Sequence, residues 1–371
     1  MPQVSRRELL LATPALALAA RTAQGVPFEV LADRPQQLQT PLSVLDGLLT
    51  PTERFFVRSH FGPPRLDRAR TLSVSGLVAR KGTWTVGSLR QLPDHAVTAV
   101  LQCAGNGRAF FQPPIPGVQW QHGALGQARW TGVRLSTLLE KAGIQPGAAH
   151  VHLFGADRTP MPQTPPFVRS IPLERALHPD TLVAWGMNGA PLTLEHGAPL
   201  RLVVPGWAGD HWLKWLVGIE VSAEEHPGFF VQKSYRIPPR PVAPGTRVPP
   251  EQMEPVTTLP VKSLITAPLE GAKVNAGRVE VRGIAFSGHA AIAQVELSVD
   301  GGNTWKRAAL EGEPGIGRWQ LFHLNVPAPR GAMSAIARAT DSGGNVQPET
   351  AVWNPSGYFW NAWHRVTWSV T

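Results

Sequence analysis

The chain has one cysteine in 371 residues, Cys103. That excludes an intrachain disulfide, a Cys₄ or Cys₂His₂ zinc site, and covalent haem attachment through C-x-x-C-H. Neither G-x-G-x-x-G nor G-x-x-x-x-G-K-[ST] occurs, so nothing supports a dinucleotide-binding turn or a phosphate-cradling P-loop. Tyrosine is almost absent, with two residues in all. There is no run of Lys and Arg interleaved with aromatics. The formal charge of +9 is carried mostly by scattered Arg, which argues against nucleic acid and for a solvated basic surface or an anionic ligand. No apolar stretch reaches the 18 residues or so that a membrane-spanning helix needs, so no span is expected in the mature protein.

What is abundant is Gly and Pro, 36 and 37 residues, which favours short strands and loops over long helices. A hydrophobic fraction of 43% is that of a globular chain, and the length predicts two domains. The N-terminus opens Ser5-Arg6-Arg7-Glu8-Leu9-Leu10 and continues apolar to Ala20 before Arg21. A charged start, a short apolar middle and a small-residue end predict an export signal over residues 1–24, and the paired Arg resembles a twin-arginine signal. The expected location is therefore periplasmic or otherwise exported.

Residues 27–70 are Pro-rich and read as extended segments and loops. From Leu72 to about Val221, strand-like runs such as Thr71–Val78 and Pro199–Val204 mix with helical spacing. Leu135, Leu138, Leu139 and Ala142, for example, recur on one helical face. This is an α+β pattern without regular βαβ alternation. Between Ile237 and Pro250 six prolines read as a stiff extended linker. Beyond Val261 the residues alternate: Val279, Val281 and Gly283 on one face, Val295, Leu297 and Val299 on another. Turn clusters Asp300-Gly301-Gly302-Asn303 and Asp341-Ser342-Gly343-Gly344-Asn345 break the runs. The expected organisation is a mixed α/β catalytic domain over 25–255 followed by an immunoglobulin-like β-sandwich over 256–371.

The segment that carries chemistry is Leu101-Gln102-Cys103-Ala104-Gly105-Asn106-Gly107-Arg108, an apolar strand running into a small-residue loop with a thiol at its mouth. A lone cysteine is by default a small buried hydrophobe. An Arg five residues on instead favours the thiolate, and a soft thiolate suits a soft metal.

That segment resembles the molybdenum-ligating loop of the sulfite oxidase family, and the resemblance extends over most of the chain. Phe56-Val57-Arg58-Ser59-His60, Gly117-Val118-Gln119-Trp120, Gly123-Ala124-Leu125-Gly126 and Trp130-Thr131-Gly132-Val133 follow the family's order. So do His196 to Arg201, Val204-Pro205-Gly206-Trp207 with Lys214-Trp215-Leu216, and Asn361-Ala362-Trp363-His364-Arg365-Val366. The resemblance implies a molybdenum–molybdopterin cofactor with Cys103 as the protein's ligand to the metal. It implies pterin contacts from Phe56, Val57, Arg58, Ser59, His60, Asp157, His196, Arg201, Trp212, Leu213 and Lys214. It also implies a pocket for sulfite or a similar small oxyanion made by Arg58, Arg108 and Arg365, with Trp120 in its wall and Tyr235 beside the reacting oxygen. Guanidinium groups suit such an anion because they offer paired donors. Homodimerisation through the C-terminal domain, no haem in this chain, and an external electron acceptor such as a c-type cytochrome complete the expectation. Gly107 stands where many relatives carry Arg and Pro116 where some carry Lys, so the pocket is less basic than theirs. Two other readings stand beside this one: a related periplasmic enzyme reducing sulfoxides such as methionine sulfoxide, and a metal-free binding protein on the same scaffold.

Overall fold

The structure, a computed structural model, describes residues 27–65 and 71–371. The expected export signal lies outside the described residues.

Three sheets build the first half. A small antiparallel sheet joins Glu29–Asp33, Gln36–Gln39 and Val57–Arg58. A second sheet runs in the order Ala190–Pro191, Leu182–Met187, Leu125–Arg134 and Asp94–Gln102, with Arg201–Val203 also on Leu182–Met187. The third holds Gly82–Thr85, Thr71–Gly76, Leu216–Ser222, His150–Gly155 and Val168–Pro172. Its only parallel pairing is between Thr71–Gly76 and Leu216–Ser222. The helix Leu135–Ala142 forms where the spacing predicts it. It buries Leu135, Leu138, Leu139 and Ala142 and ends at Gly143, whose φ of 72° closes it in a left-handed cap. Among the described residues the remaining helices span five residues or fewer, as the Gly and Pro content requires.

The C-terminal half is the expected sandwich. One sheet orders Lys262–Ala267, Gly277–Phe286, Gln320–Ala328 and Ala309–Glu311. The other orders Ala272–Val274, His364–Val370, Gly331–Asp341, Ile292–Ser298 and Lys306–Arg307. Inward residues such as Val281, Val295, Leu297, Phe322, Ala337 and Trp368 fill the space between them. The Pro-rich segment is not a through-running linker. Arg236 pairs with Pro255 and Ile237 with Glu254, so the chain leaves and returns, and the prolines lie in a loop closed at its base.

A shared apolar seam joins the two halves. Leu45, Val100, Leu125 and Ala208 from the first pack with Leu264, Ile284, Phe286 and Trp319 from the second. Trp319 is fully buried and donates its indole N–H to Gly47 O, while Gln127 bridges Leu48 O and Trp319 O. Each larger side chain among these contributes roughly 1.5–3 kcal/mol by leaving water, so the seam fixes the catalytic loops against the sandwich.

Candidate active site

Strand Asp94–Gln102 becomes fully buried over its last four residues and delivers Cys103 to the edge of a cleft. The turn after it is held from inside. Asn106 donates to Gln102 Oε1 at 3.1 Å and its own Oδ1 accepts Ala124 N–H at 3.0 Å. Gly107 takes φ 92°, and a Cβ there would sit 2.7 Å from Trp360 Cβ. Trp360 thus fills the space that a side chain at 107 would need.

The cleft encloses about 720 Å³ of empty space, counting its open mouth. Most residues expected at the cofactor line it: Phe56, Arg58, Ser59, His60, Cys103, Asp157, His196, Arg201, Trp212, Leu213, Lys214 and Tyr235. Val57 does not. It lies next to the cleft in the small sheet, paired with Leu38.

In the lining of the cleft, Arg58, His60 and Tyr235 form a relay. His60 Nε2 is 2.7 Å from Tyr235 Oη, and Arg58 Nη2 is 3.3 Å from His60 Nδ1. Burial, then the nearby Arg58 and Arg169, push His60 down to about 2, so the ring is neutral. A guanidinium only donates, so Nδ1 accepts from Arg58 and Nε2 carries the proton given to Tyr235. The hydroxyl hydrogen of Tyr235 is then free to donate into the cleft. Burial also pushes the Tyr235 hydroxyl well above the usual phenol value. It stays protonated.

Two further cations, Arg201 and Lys214, line the cleft. Arg201 is 2% exposed, donates to His196 O at 3.0 Å and Trp212 O at 2.9 Å, and is pulled down to about 9 by burial. Lys214 donates to Glu195 O and is pulled down to about 7 by burial, with Arg201 and Arg58 adding repulsion. Burial raises Asp157 to about 6 and lowers His196 to about 4. Arg58, Arg201 and Lys214 take part in none of the ion pairs among the described residues. Cations that form no ion pair in a mostly enclosed cleft call for an anionic ligand, and the half-buried carboxyl of Asp157, which attracts Lys214, suits ring N–H donors.

The Cys103 thiol is pushed up by burial, which outweighs the pull of Arg58, the Gly105 N–H and Arg108. The expectation that Arg108 alone would hold a thiolate is corrected: desolvation wins, and a bound cation is what would discharge the proton. Among the described residues no group of three or more His, Cys, Asp or Glu could hold a metal by itself. A metal at Cys103 must therefore bring most of its ligands with it. A pterin-carried molybdenum does so, and the cleft's cations and carboxyl fit its phosphate and ring.

Three expected pocket residues stand elsewhere. Arg108 does not line the cleft. It donates to Ser356 O at 3.1 Å and Val118 O at 3.4 Å and lies 5.1 Å over the Tyr358 ring. Gly105, Gly117 and Gly357 crowd it so closely that a Cβ on any of them would meet the guanidinium at 3.0 Å or less. Trp120 is buried behind the wall, edge-on to Phe56 at 6.4 Å. Arg365 is on the outside of the sandwich. In strand His364–Val370 the even positions turn inward, which leaves Arg365 exposed. Only Arg58 of the expected trio faces the cleft.

Sequence reasoning missed Tyr358, Arg169 and Asp210. Tyr358 stacks on Tyr235 with ring centres 5.5 Å apart and planes 8° from parallel. Arg169 lies 5.1 Å over the Tyr235 ring, and Asp210 lines the cleft. Their signals were present: one of only two tyrosines, an Arg between Val168 and Ile171, and an Asp between Trp207 and Trp212.

Fold and site together define a molybdopterin-binding oxidoreductase domain joined to a dimerisation domain. The family profile described as "Oxidoreductase molybdopterin binding domain" matches residues 60–230, and that described as "Mo-co oxidoreductase dimerisation domain" matches residues 253–371. The sulfite oxidase of Arabidopsis thaliana is 36% identical over 367 residues, covering 91% of this chain and 93% of its own length. The mitochondrial sulfite oxidase of Mus musculus is 37% identical over 357 residues, again 91% of this chain. This chain spans 65% of that mammalian relative's length. The crystal structure of the sulfane dehydrogenase SoxCD from Paracoccus pantotrophus superposes with a TM-score of 0.80 at 26% identity, covering 98% of this chain and 92% of that one. The chain belongs to the sulfite oxidase family.

Proposed function

We propose that this protein oxidises sulfite to sulfate and passes the electrons to an external acceptor, in the balance sulfite plus water to sulfate plus two protons and two electrons. The observation that carries the reading is the convergence of Cys103, Arg58 and Tyr235 on one cleft that Arg201 and Lys214 also line. When bound, the molybdenum cofactor supplies the two-electron redox chemistry. Cys103 would be its protein ligand, and Arg201, Lys214, His196 and Asp157 would hold its phosphate and ring. Arg58 binds and orients the oxyanion with charge-assisted donors, which are worth about 1.5–3 kcal/mol. Tyr235, kept protonated by burial and oriented by His60, donates its free hydrogen to the anion's oxygen. Water enters through the mouth, and buried Phe56 and Trp212 dry the remaining wall.

The acceptor we propose is a c-type cytochrome, in keeping with an exported protein whose first residues resemble a twin-arginine signal. A homodimer through the C-terminal sandwich is supported by the match to the dimerisation family. A steady-state assay of the holoenzyme with sulfite and several electron acceptors tests the reading, with methionine sulfoxide as the competing substrate. Sulfite-dependent acceptor reduction and one molybdenum per chain are expected. Sulfoxide reduction without sulfite turnover, or protein purified without molybdenum from cofactor-producing cells, would overturn it.

A further inference from the structure

Behind the Tyr235 ring lies a buried ionic cluster that the reading above leaves unused. Arg169 Nη2 and Asp210 Oδ2 are 2.7 Å apart, with side chains 2% and 1% exposed. His211, 2% exposed, approaches the same carboxylate at 3.4 Å and donates from Nε2 to Val256 O at 2.8 Å. Arg169 also donates to Phe230 O and lies 5.1 Å over the Tyr235 ring. Strand Val168–Pro172 and the short turn Gly209–His211 supply the charged groups, and Tyr235 follows helix Phe229–Gln232.

Such a pair is a poor way to gain stability. Taking two charges out of water costs several kcal/mol each, and an apolar pair of similar volume often does as well or better. Meanwhile Tyr235 needs holding. Its backbone is left-handed, φ 54°, a conformation that costs a non-glycine residue about 1–3 kcal/mol and persists only where neighbours enforce it. The ring meets Arg169, the parallel Tyr358 and, through its hydroxyl, His60. Of these, Arg169 is the one fixed by a second charge. Asp210 reaches the cleft itself, and neither of its oxygens has a well-formed hydrogen bond, so its strongest partner is Arg169.

We propose that the Arg169–Asp210 pair is a positioning device for Tyr235, holding the ring at the angle that presents its hydroxyl hydrogen to the anion in the cleft. This rests on the proposed role of Tyr235 at the same site. Neither Arg169 nor Asp210 touches the reacting atoms in this scheme. They act through the ring.

The two tyrosines make a direct test possible, because protein labelled with 3-fluorotyrosine shows two fluorine signals and Tyr358→Phe assigns them. The pair is replaced by Arg169→Met with Asp210→Asn, which removes both charges together and so leaves no uncompensated ion. Asp210→Asn alone is read in parallel, so a double variant that fails to fold leaves the test intact. The Tyr235 signal should move or broaden in both, while Arg169→Lys, which keeps the charge, should hold it nearer its native position. In the holoenzyme kcat should fall about ten- to a hundredfold with KM within a few-fold, the pattern of a displaced reacting group. Folded variants with an unmoved Tyr235 signal and unchanged kcat would overturn the proposal. Because the fluorine signal is read without substrate, absence of sulfite turnover in every protein would count against the proposed function and leave the positioning claim to be judged on the spectra.

Discussion

Lys262 is fully buried at the start of the sandwich strand Lys262–Ala267, and replacing it with Met should stabilise the protein at and below neutral pH. Among the described residues the ammonium forms no ion pair. It donates to Trp360 O at 3.0 Å and lies 5.4 Å from that ring. Burial pulls it from 10.5 to about 7. At about 1.4 kcal/mol per unit, the charged form is disfavoured in the fold by at most about 5 kcal/mol, a ceiling that local relaxation and water entry reduce. Met keeps the length and loses one hydrogen bond, a cost of about 1–3 kcal/mol when the freed carbonyl is buried. The net gain is about 1–3 kcal/mol. Its pH dependence carries the proof. Below about 7 both the folded and unfolded chains hold the proton and the penalty is complete. Between about 7 and 10.5 the folded wild type has released it while the unfolded chain retains it, so wild-type stability climbs with pH. Lys262→Met lacks that climb. His122 and His364, which pack on the same side, are both held neutral by burial and do not titrate in this window. Urea unfolding of the two proteins from about pH 6 to about pH 10 should show a gap that closes as pH rises. A gap independent of pH, or a variant less stable at pH 6, would mean that the buried ammonium carries no such penalty.

Arg58→Gln should weaken apparent sulfite affinity by about tenfold or more, whereas Arg365→Gln, on the outer face of the sandwich, should leave it unchanged in the same steady-state assay. Equal losses from both would mean that the anion is not bound where Arg58 points. Trp120→Ala should cost about 3–5 kcal/mol in urea unfolding, because it empties a fully buried indole site behind Phe56. Gly132→Ala would place a Cβ 2.2 Å from Val183 O and should destabilise by more than about 3 kcal/mol. Gly147→Ala meets nothing within 4 Å and should cost only the left-handed backbone term, about 1–2 kcal/mol.

Much of this was legible in the residues. The helix Leu135–Ala142 and the alternating strands around Val281 and Val295 follow from periodicity, since each buries one face against one core. The cleft residues from Phe56 to Lys214 follow from the resemblance, because contiguous motifs carry their geometry with them. What failed was side-chain direction. Arg365 sits in a matching motif, yet one step along a strand reverses the face, and His364 is the residue turned inward. Arg108 was placed at the anion by its match to the family's motif, but glycines at 105, 117 and 357 let it fold back onto Ser356 and Tyr358, some 250 residues away. The Pro-rich segment was misread because its ends pair, a contact that composition does not reveal. Tyr358, Arg169 and Asp210 come from distant segments and meet only in the fold.

In the proposed function the sulfur of Cys103 binds the molybdenum. X-ray absorption at the molybdenum edge, on wild type and on Cys103→Ser protein that retains its cofactor, tests it most directly. The sulfur shell around the metal should lose one ligand in the variant while sulfite turnover disappears. An unchanged sulfur shell would contradict it and place the metal's protein ligand elsewhere.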